Sequence, residues 1–166
     1  PCGRHGAPTF LPAMTTTDIR HERALVWFRR DLRDFDHAAL YAALKHARAV
    51  YCVFVFDREI LDALPRGDDR RVEFLHDSVV ELDRALAARG GALIVRHGSA
   101  RDAIGALAAD LGVDAVYANH DYEPAARDRD AAVAQDLADR GIAFETRKDH
   151  VIFERDEVLS QSGKPF

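Results

Sequence analysis

The chain has 166 residues, 48% of them hydrophobic and 31% charged, with a formal net charge of -5. This is enough apolar material for one ordinary domain with a sizeable core and no cross-links, and the negative balance argues against a sequence-independent grip on nucleic-acid phosphates by this segment. No apolar run approaches the roughly 20 residues of a membrane span. The two cysteines, Cys2 and Cys52, fall in a ragged terminus and in an apolar run, which speaks against a structural disulfide and for a reducing, cytoplasmic compartment.

Residues 1–22 mix Pro, Gly, Thr and charge without periodicity and lack the apolar stretch of a signal peptide, so a disordered tail is expected. Met14, the only methionine, is a candidate natural start. From residue 23 onward strand and helix signals alternate. Apolar or β-branched runs at Ala24–Phe28, Ala49–Phe56, Ala92–Val95, Ala115–Ala118 and Ile142–Thr146 read as five strands. A first helix is expected to open at Asp36, with His37 affecting only its capping. Between Asp68 and Arg89, Val72, Leu75, Val79, Leu82 and Leu86 share one helical face, and Gly90-Gly91 ends it. Ser99 precedes a further helix with Ile104, Leu107 and Leu111 on its face and Gly112 at its end. Pro124 opens another, running to about Gly141. The order is that of a doubly wound, five-stranded parallel sheet, a Rossmann-like three-layer α/β/α domain.

Familiar phosphate and metal signatures are missing. No G-x-G-x-x-G follows the first strand, and Gly163-Lys164 lacks the upstream glycine of a P-loop. Neither an H-x-x-x-H pair nor a C-x-x-C supports a metal site. Nucleophile elbows and catalytic triads are also missing, so no catalytic residue is assigned.

Polar residues placed where strands should end remain: Arg30, Asp57, His97-Gly98-Ser99, Asn119 to Glu123, and Arg147. In an open parallel sheet these positions share the edge at which ligands sit. Asp121 and Glu123, with Arg127 one helical turn later, offer acceptors and a planar guanidinium to a flat heterocycle. Phe56 offers a stacking surface, and Ala125 and Ala126 leave the helix N-terminus open. Each feature also has a plainer reading. The arginines pair with Asp31 and Asp34 in a solvated loop, Asp121 and Glu123 complement the helix dipole, and Trp27 is simply core.

Four strings carry a resemblance. Trp27-Phe28-Arg29-Arg30-Asp31-Leu32-Arg33 is followed by Val55-Phe56-Asp57-Arg58-Glu59-Ile60-Leu61. Next come Arg71-Val72-Glu73-Phe74-Leu75, with Ser78, Leu82, Leu86 and Gly90, and then Asp121-Tyr122-Glu123-Pro124-Ala125-Ala126-Arg127-Asp128-Arg129-Asp130. With Gly163-Lys164-Pro165-Phe166 at the end, they resemble the photolyase and cryptochrome family in order and spacing.

The resemblance implies an N-terminal α/β antenna domain over residues 23–159, with residues 160–166 starting a linker to a helical FAD domain that also takes the flipped pyrimidine dimer of damaged DNA. The function implied is that of a deoxyribodipyrimidine photolyase, inactive as this segment alone, monomeric and cytoplasmic, with no membrane partner. Arg30, Phe56, Asp57, Asn119, Asp121, Glu123 and Arg127 are the expected cofactor-binding residues. Where folate-binding members resembling the enterobacterial enzyme carry an Asn-Glu pair, this chain has Ala125 and Ala126. A deazaflavin or flavin antenna is therefore favoured over methenyltetrahydrofolate. A cryptochrome photosensory domain is one alternative. Another is a stand-alone nucleotide-binding domain of the universal-stress or electron-transfer-flavoprotein type, against which stands the missing glycine-rich loop.

Overall fold

A computed structural model describes residues 11–12, 18–64 and 69–153 of the chain. The elements in order are β1 (Leu11–Pro12), β2 (His21–Phe28), α1 (Ala38–His46), β3 (Ala47–Asp57), α2 (Arg58–Leu61), α3 (Arg70–Ala88), β4 (Leu93–Gly98), α4 (Ala100–Leu111), β5 (Ala115–Asn119), α5 (Pro124–Asp139) and β6 (Ala143–Arg147). Five strands run parallel in the spatial order β4-β3-β2-β5-β6. The short β1 adds an antiparallel pair, Leu11 to Val50 and Pro12 to Ala49, beside the start of β3.

The central strand explains the layering. Every residue from Ala24 to Phe28 is buried, because both faces of β2 are covered. Ala24, Val26 and Phe28 point to one side, where Leu40 of α1 and Val79, Leu82 and Leu86 of α3 close over them with Phe54 and Tyr117. Leu25 and Trp27 point to the other, among Ile104 and Leu107 of α4 and Val133 and Leu137 of α5. Each such side chain removed from water contributes about 1.5–3 kcal/mol. Gly112 ends α4 in the left-handed conformation, φ 59°, which a side chain disfavours. Among the described residues no helix is long and apolar enough to cross a membrane.

Several boundaries differ from expectation. Part of the supposed tail is ordered: Leu11–Pro12 pair with β3, the Arg20 N–H donates to the His46 carbonyl at 2.8 Å, and β2 begins at His21. The rest of residues 1–17, and the expected linker at 160–166, lie outside the described residues. The first helix opens later than Asp36. That residue takes a left-handed turn, φ 46°, with its carbonyl held by the Arg33 guanidinium at 2.6 Å. His37 is the cap instead, its Nδ1 accepting from the Leu40 N–H at 3.0 Å. Strand β4 runs on through His97 and Gly98, which pair with Phe56 and Asp57, so those two are not loop residues. Asp57, Asn119 and Arg147 likewise prove to be the last residues of their strands. The short α2 has too few residues to show a periodicity in the sequence.

Candidate functional site

Helix α1 leaves β2 toward one face of the sheet, whereas α5 leaves β5 toward the other. Between the carboxyl ends of these neighbouring strands the chain therefore opens a crevice, the usual ligand position in a doubly wound sheet. The rims of the crevice are the segments beginning at Arg29 and Asn119.

A buried network holds the two segments together. The Asp31 carboxylate, 3% exposed, accepts from the Arg29 N–H at 2.9 Å, from Asn119 Nδ2 at 2.5 Å and from His37 Nε2 at 2.9 Å. Asn119 Oδ1 in turn accepts from the Ala39 N–H at 2.9 Å. His37 Nδ1 accepts from a backbone N–H, so the imidazole proton sits on Nε2 and donates to Asp31. His37 thus does more than cap α1. Burial alone would raise the Asp31 pKa, but the hydrogen bonds from His37 and from the Arg29 N–H hold it well below the usual carboxylate range.

Arginine side chains form the next layer. The Arg29 guanidinium meets both oxygens of Asp130 at 2.6 Å and also bonds the Asn119 carbonyl. It lies 4.9 Å from the Trp27 ring centre, and the Arg129 guanidinium lies 5.1 Å from the same ring. Such contacts favour a cation over an aromatic surface. Arg129 sits 3.8 Å from Asp121. Arg30 reaches across the opening to Glu123 at 2.5 Å, with Asp121 at 3.9 Å.

Two clefts result. A polar cleft of about 420 Å³ is lined by Arg29, Arg30, Asp31 and Asn119 to Glu123, together with His150. A more apolar cleft of about 460 Å³ opens between the ends of β2 and β3, with Trp27, Phe28, Phe54, Val55, Ile60, Leu61 and Leu75 among its walls. Asp57, Ala125, Ala126 and Arg129 line it as well. Arg29, Arg30 and Glu123 belong to both clefts.

Asp57 is the unusual group in the apolar cleft. Its Oδ1 caps α2 through the Glu59 N–H at 3.1 Å and lies 3.4 Å from the Ala100 N–H that opens α4. Ser99, the residue before α4, makes no side-chain cap bond. Asp57 is 6% exposed, and its Oδ2 is buried with no hydrogen-bond partner among the described residues. A buried acceptor without a donor is costly, which sets Asp57 apart among the residues that line this cleft.

The expected site residues divide between these places. Arg30 and Glu123 border both clefts, Asn119 and Asp121 the polar one, and Asp57 the apolar one. The segments at Arg29, Asp57 and Asn119 share one rim of the sheet, as expected, and two adjoining clefts open along it. Phe56 and Arg127 line neither. The wall residue is Phe54, on the same face one pleat earlier and edge-on to Phe56 with ring centres 4.9 Å apart. Arg127 is exposed, whereas Arg129 is 7% exposed and falls on the buried stripe Ala126, Arg129, Val133 and Leu137. That i, i+3, i+7, i+11 spacing was the available signal for Arg129. Arg29 and Trp27 were also missed, because a buried arginine and an indole both read as loop or core.

Asp31, Asp149 and His150 offer ligand atoms within 4.8 Å of one another. Their oxygens are already engaged: Asp149 holds Arg33 at 2.7 Å and the Ala38 N–H at 3.1 Å, and Asp31 holds the network above.

Comparison with known proteins identifies the family of the domain. A sequence profile of the DNA photolyase family matches residues 24–166. The deoxyribodipyrimidine photolyase of Synechococcus sp. is 35% identical over 142 residues, covering 86% of this chain and 29% of the relative. A bacterial class III photolyase from Agrobacterium tumefaciens superposes with a TM-score of 0.77 at 30% identity, over 89% of this chain and 30% of that one. An archaeal photolyase from Sulfolobus tokodaii, described with two FAD molecules and the implication of a novel light-harvesting cofactor, gives 0.70 at 31% identity, over 81% and 32%. Cryptochromes also occur among the relatives. The chain thus spans under a third of these three proteins, in the α/β region that they share with it. With its profile match and its parallel sheet in agreement, the chain belongs to the DNA photolyase family.

Proposed function

We propose that this chain is the antenna domain of a deoxyribodipyrimidine photolyase and that its apolar cleft holds a planar light-harvesting chromophore. The observation that carries this reading is the cleft walled by Phe54 and aliphatic side chains, with Asp57, whose Oδ2 is buried without a partner among the described residues, as one of its lining residues. A flat ring with apolar faces and an N–H or O–H on its rim fits both features. Arg30, Glu123 and Arg129 border the same cleft and would orient the ring's edge. Ala125 and Ala126 line the cleft without polar side chains, which favours a deazaflavin or flavin over methenyltetrahydrofolate.

A bound antenna would supply absorption of near-ultraviolet or blue light and pass excitation onward. The residues of this chain bind the ring, orient it and exclude water from it. FAD and the pyrimidine dimer in DNA would be held by a helical domain corresponding to the remaining length of the relatives, and this segment alone would carry out no repair. A monomer acting in the cytoplasm completes the proposal. The photolyase names of the relatives favour repair over the cryptochrome reading.

The test is reconstitution with a deazaflavin, followed by near-ultraviolet absorbance at matched protein concentration. Wild-type protein should retain the chromophore through gel filtration, and Glu123→Ala and Arg129→Ala should each retain less. Equal retention by all three would remove the apolar cleft as the binding site.

A further inference from the structure

Trp27 is the only tryptophan of the chain; it is 2% exposed and forms one of the walls of the apolar cleft. An indole is an unfavourable neighbour for a pigment that must stay excited, because an excited flavin-type ring readily takes an electron from it and the excitation is lost. We propose that Arg29 and Arg129 suppress this loss by holding two positive charges against the Trp27 ring. The inference rests on the reading of the apolar cleft given above and adds a photophysical role for its two buried arginines.

The contacts around the indole carry it. The Arg29 guanidinium lies 4.9 Å from the centre of the Trp27 ring, and that of Arg129 lies 5.1 Å from it. Their side chains are 8% and 9% exposed, so salt screens these charges little. Asp130 fixes both, accepting from Arg29 at 2.6 Å and from Arg129 at 3.3 Å, while Asp121 stands 3.8 Å from Arg129. Trp27 itself is packed in the core with Ile104, Val133 and Leu137, so ring and cations keep this arrangement.

In the step that is suppressed, one electron would pass from the indole to the excited ring and then return to the indole, releasing the excitation as heat; no bond forms or breaks. A neutral indole attracts a cation at its face, but an indole that has lost an electron repels it, and strongly where the surroundings screen poorly. Two guanidiniums in contact with Trp27 therefore make it harder to oxidise than a bare indole in the same cleft. Asp130 and Asp121 offset part of this repulsion. The bound pigment keeps its excitation for onward transfer, and the tryptophan keeps its bulk in the core.

The experiment measures the fluorescence lifetime of riboflavin retained by the chain after gel filtration, a property of the bound molecules that does not depend on how many sites are filled. Arg129→Gln removes one charge and should shorten the lifetime about threefold or more, the scale of losing one desolvated cation at a ring face. Adding Trp27→Phe to Arg129→Gln should restore the wild-type lifetime, and Trp27→Phe alone should leave it unchanged. A wild-type lifetime in Arg129→Gln would overturn the shielding. So would a short lifetime that persists in the double variant, because another group would then be the quencher. A longer lifetime in Trp27→Phe alone would overturn it as well, and that comparison stands even where Arg129→Gln fails to fold. Any of these results, obtained on bound riboflavin, leaves the apolar cleft standing as a binding site. Failure of the wild-type protein to retain riboflavin would defeat the reading of the cleft and this inference with it.

Discussion

Replacing Asp31 by alanine should be among the most damaging single changes in the chain. The carboxylate is 3% exposed and is the acceptor for three donors, the Arg29 N–H, Asn119 Nδ2 and His37 Nε2. A buried donor left without an acceptor costs about 1–3 kcal/mol. Relaxation and water entry recover part of the sum, so a net loss of about 3–5 kcal/mol is expected, in line with breaking other buried charged pairs. For a domain of this size that corresponds to a fall in Tm of roughly 6–20 °C. The assay is urea and thermal unfolding followed by circular dichroism. A matched control is Glu22→Ala, which removes a carboxylate 2.9 Å from Arg48 in a pair whose side chains are 75% and 64% exposed. An exposed pair of this kind contributes at most about 1 kcal/mol. Equal losses for the two variants would refute the claim that Asp31 ties β2, α1 and β5 together.

Other outcomes follow from the same structure. Asp31 has its pKa depressed in the folded state, so its contribution is fully present above the unfolded carboxyl value near about 4 and is lost as pH falls below that toward the folded value. Wild-type protein should therefore lose stability more steeply than Asp31→Asn between about pH 4 and 2, measured by urea midpoints across that range. Leu86, fully buried against the sheet, should cost about 2–5 kcal/mol as Leu86→Ala, read from the same denaturation curves. Burial pushes the Cys52 thiol up to about 12, so in a Cys2→Ser background a thiol reagent at neutral pH should react only after denaturant is added. Arg129→Ala should lower chromophore retention, whereas Arg127→Ala, at an exposed position outside both clefts, should leave it unchanged in the absorbance assay.

The layered order was legible because it rests on periodicity. The near-continuous apolar run at Ala24–Phe28 marks a strand covered on both faces, and the spacing of Val79, Leu82 and Leu86 marks a helix lying on it. The strand ends were less legible, because backbone pairing extends β4 through His97 and Gly98 whatever their polarity. The rim of the site could be placed from topology alone, since every parallel strand delivers its carboxyl end to one edge. Which side chain faces the cleft depends on a single pleat or a fraction of a helical turn. That is how Phe54 takes the place expected of Phe56, and Arg129 that of Arg127. The division into two clefts was not legible at all, because it depends on Arg30 reaching across to Glu123, 93 positions further along the sequence. The role of His37 also lay beyond sequence reading, as its second contact is with a carboxylate brought close only by folding.

The most direct measurement is a crystal structure of the chain grown with a deazaflavin. The ring should lie in the apolar cleft beside Phe54, with an N–H or O–H on its rim donating to the Asp57 carboxylate. Density for the ring at any other place, with the apolar cleft empty, would contradict the assignment of this cleft to the chromophore.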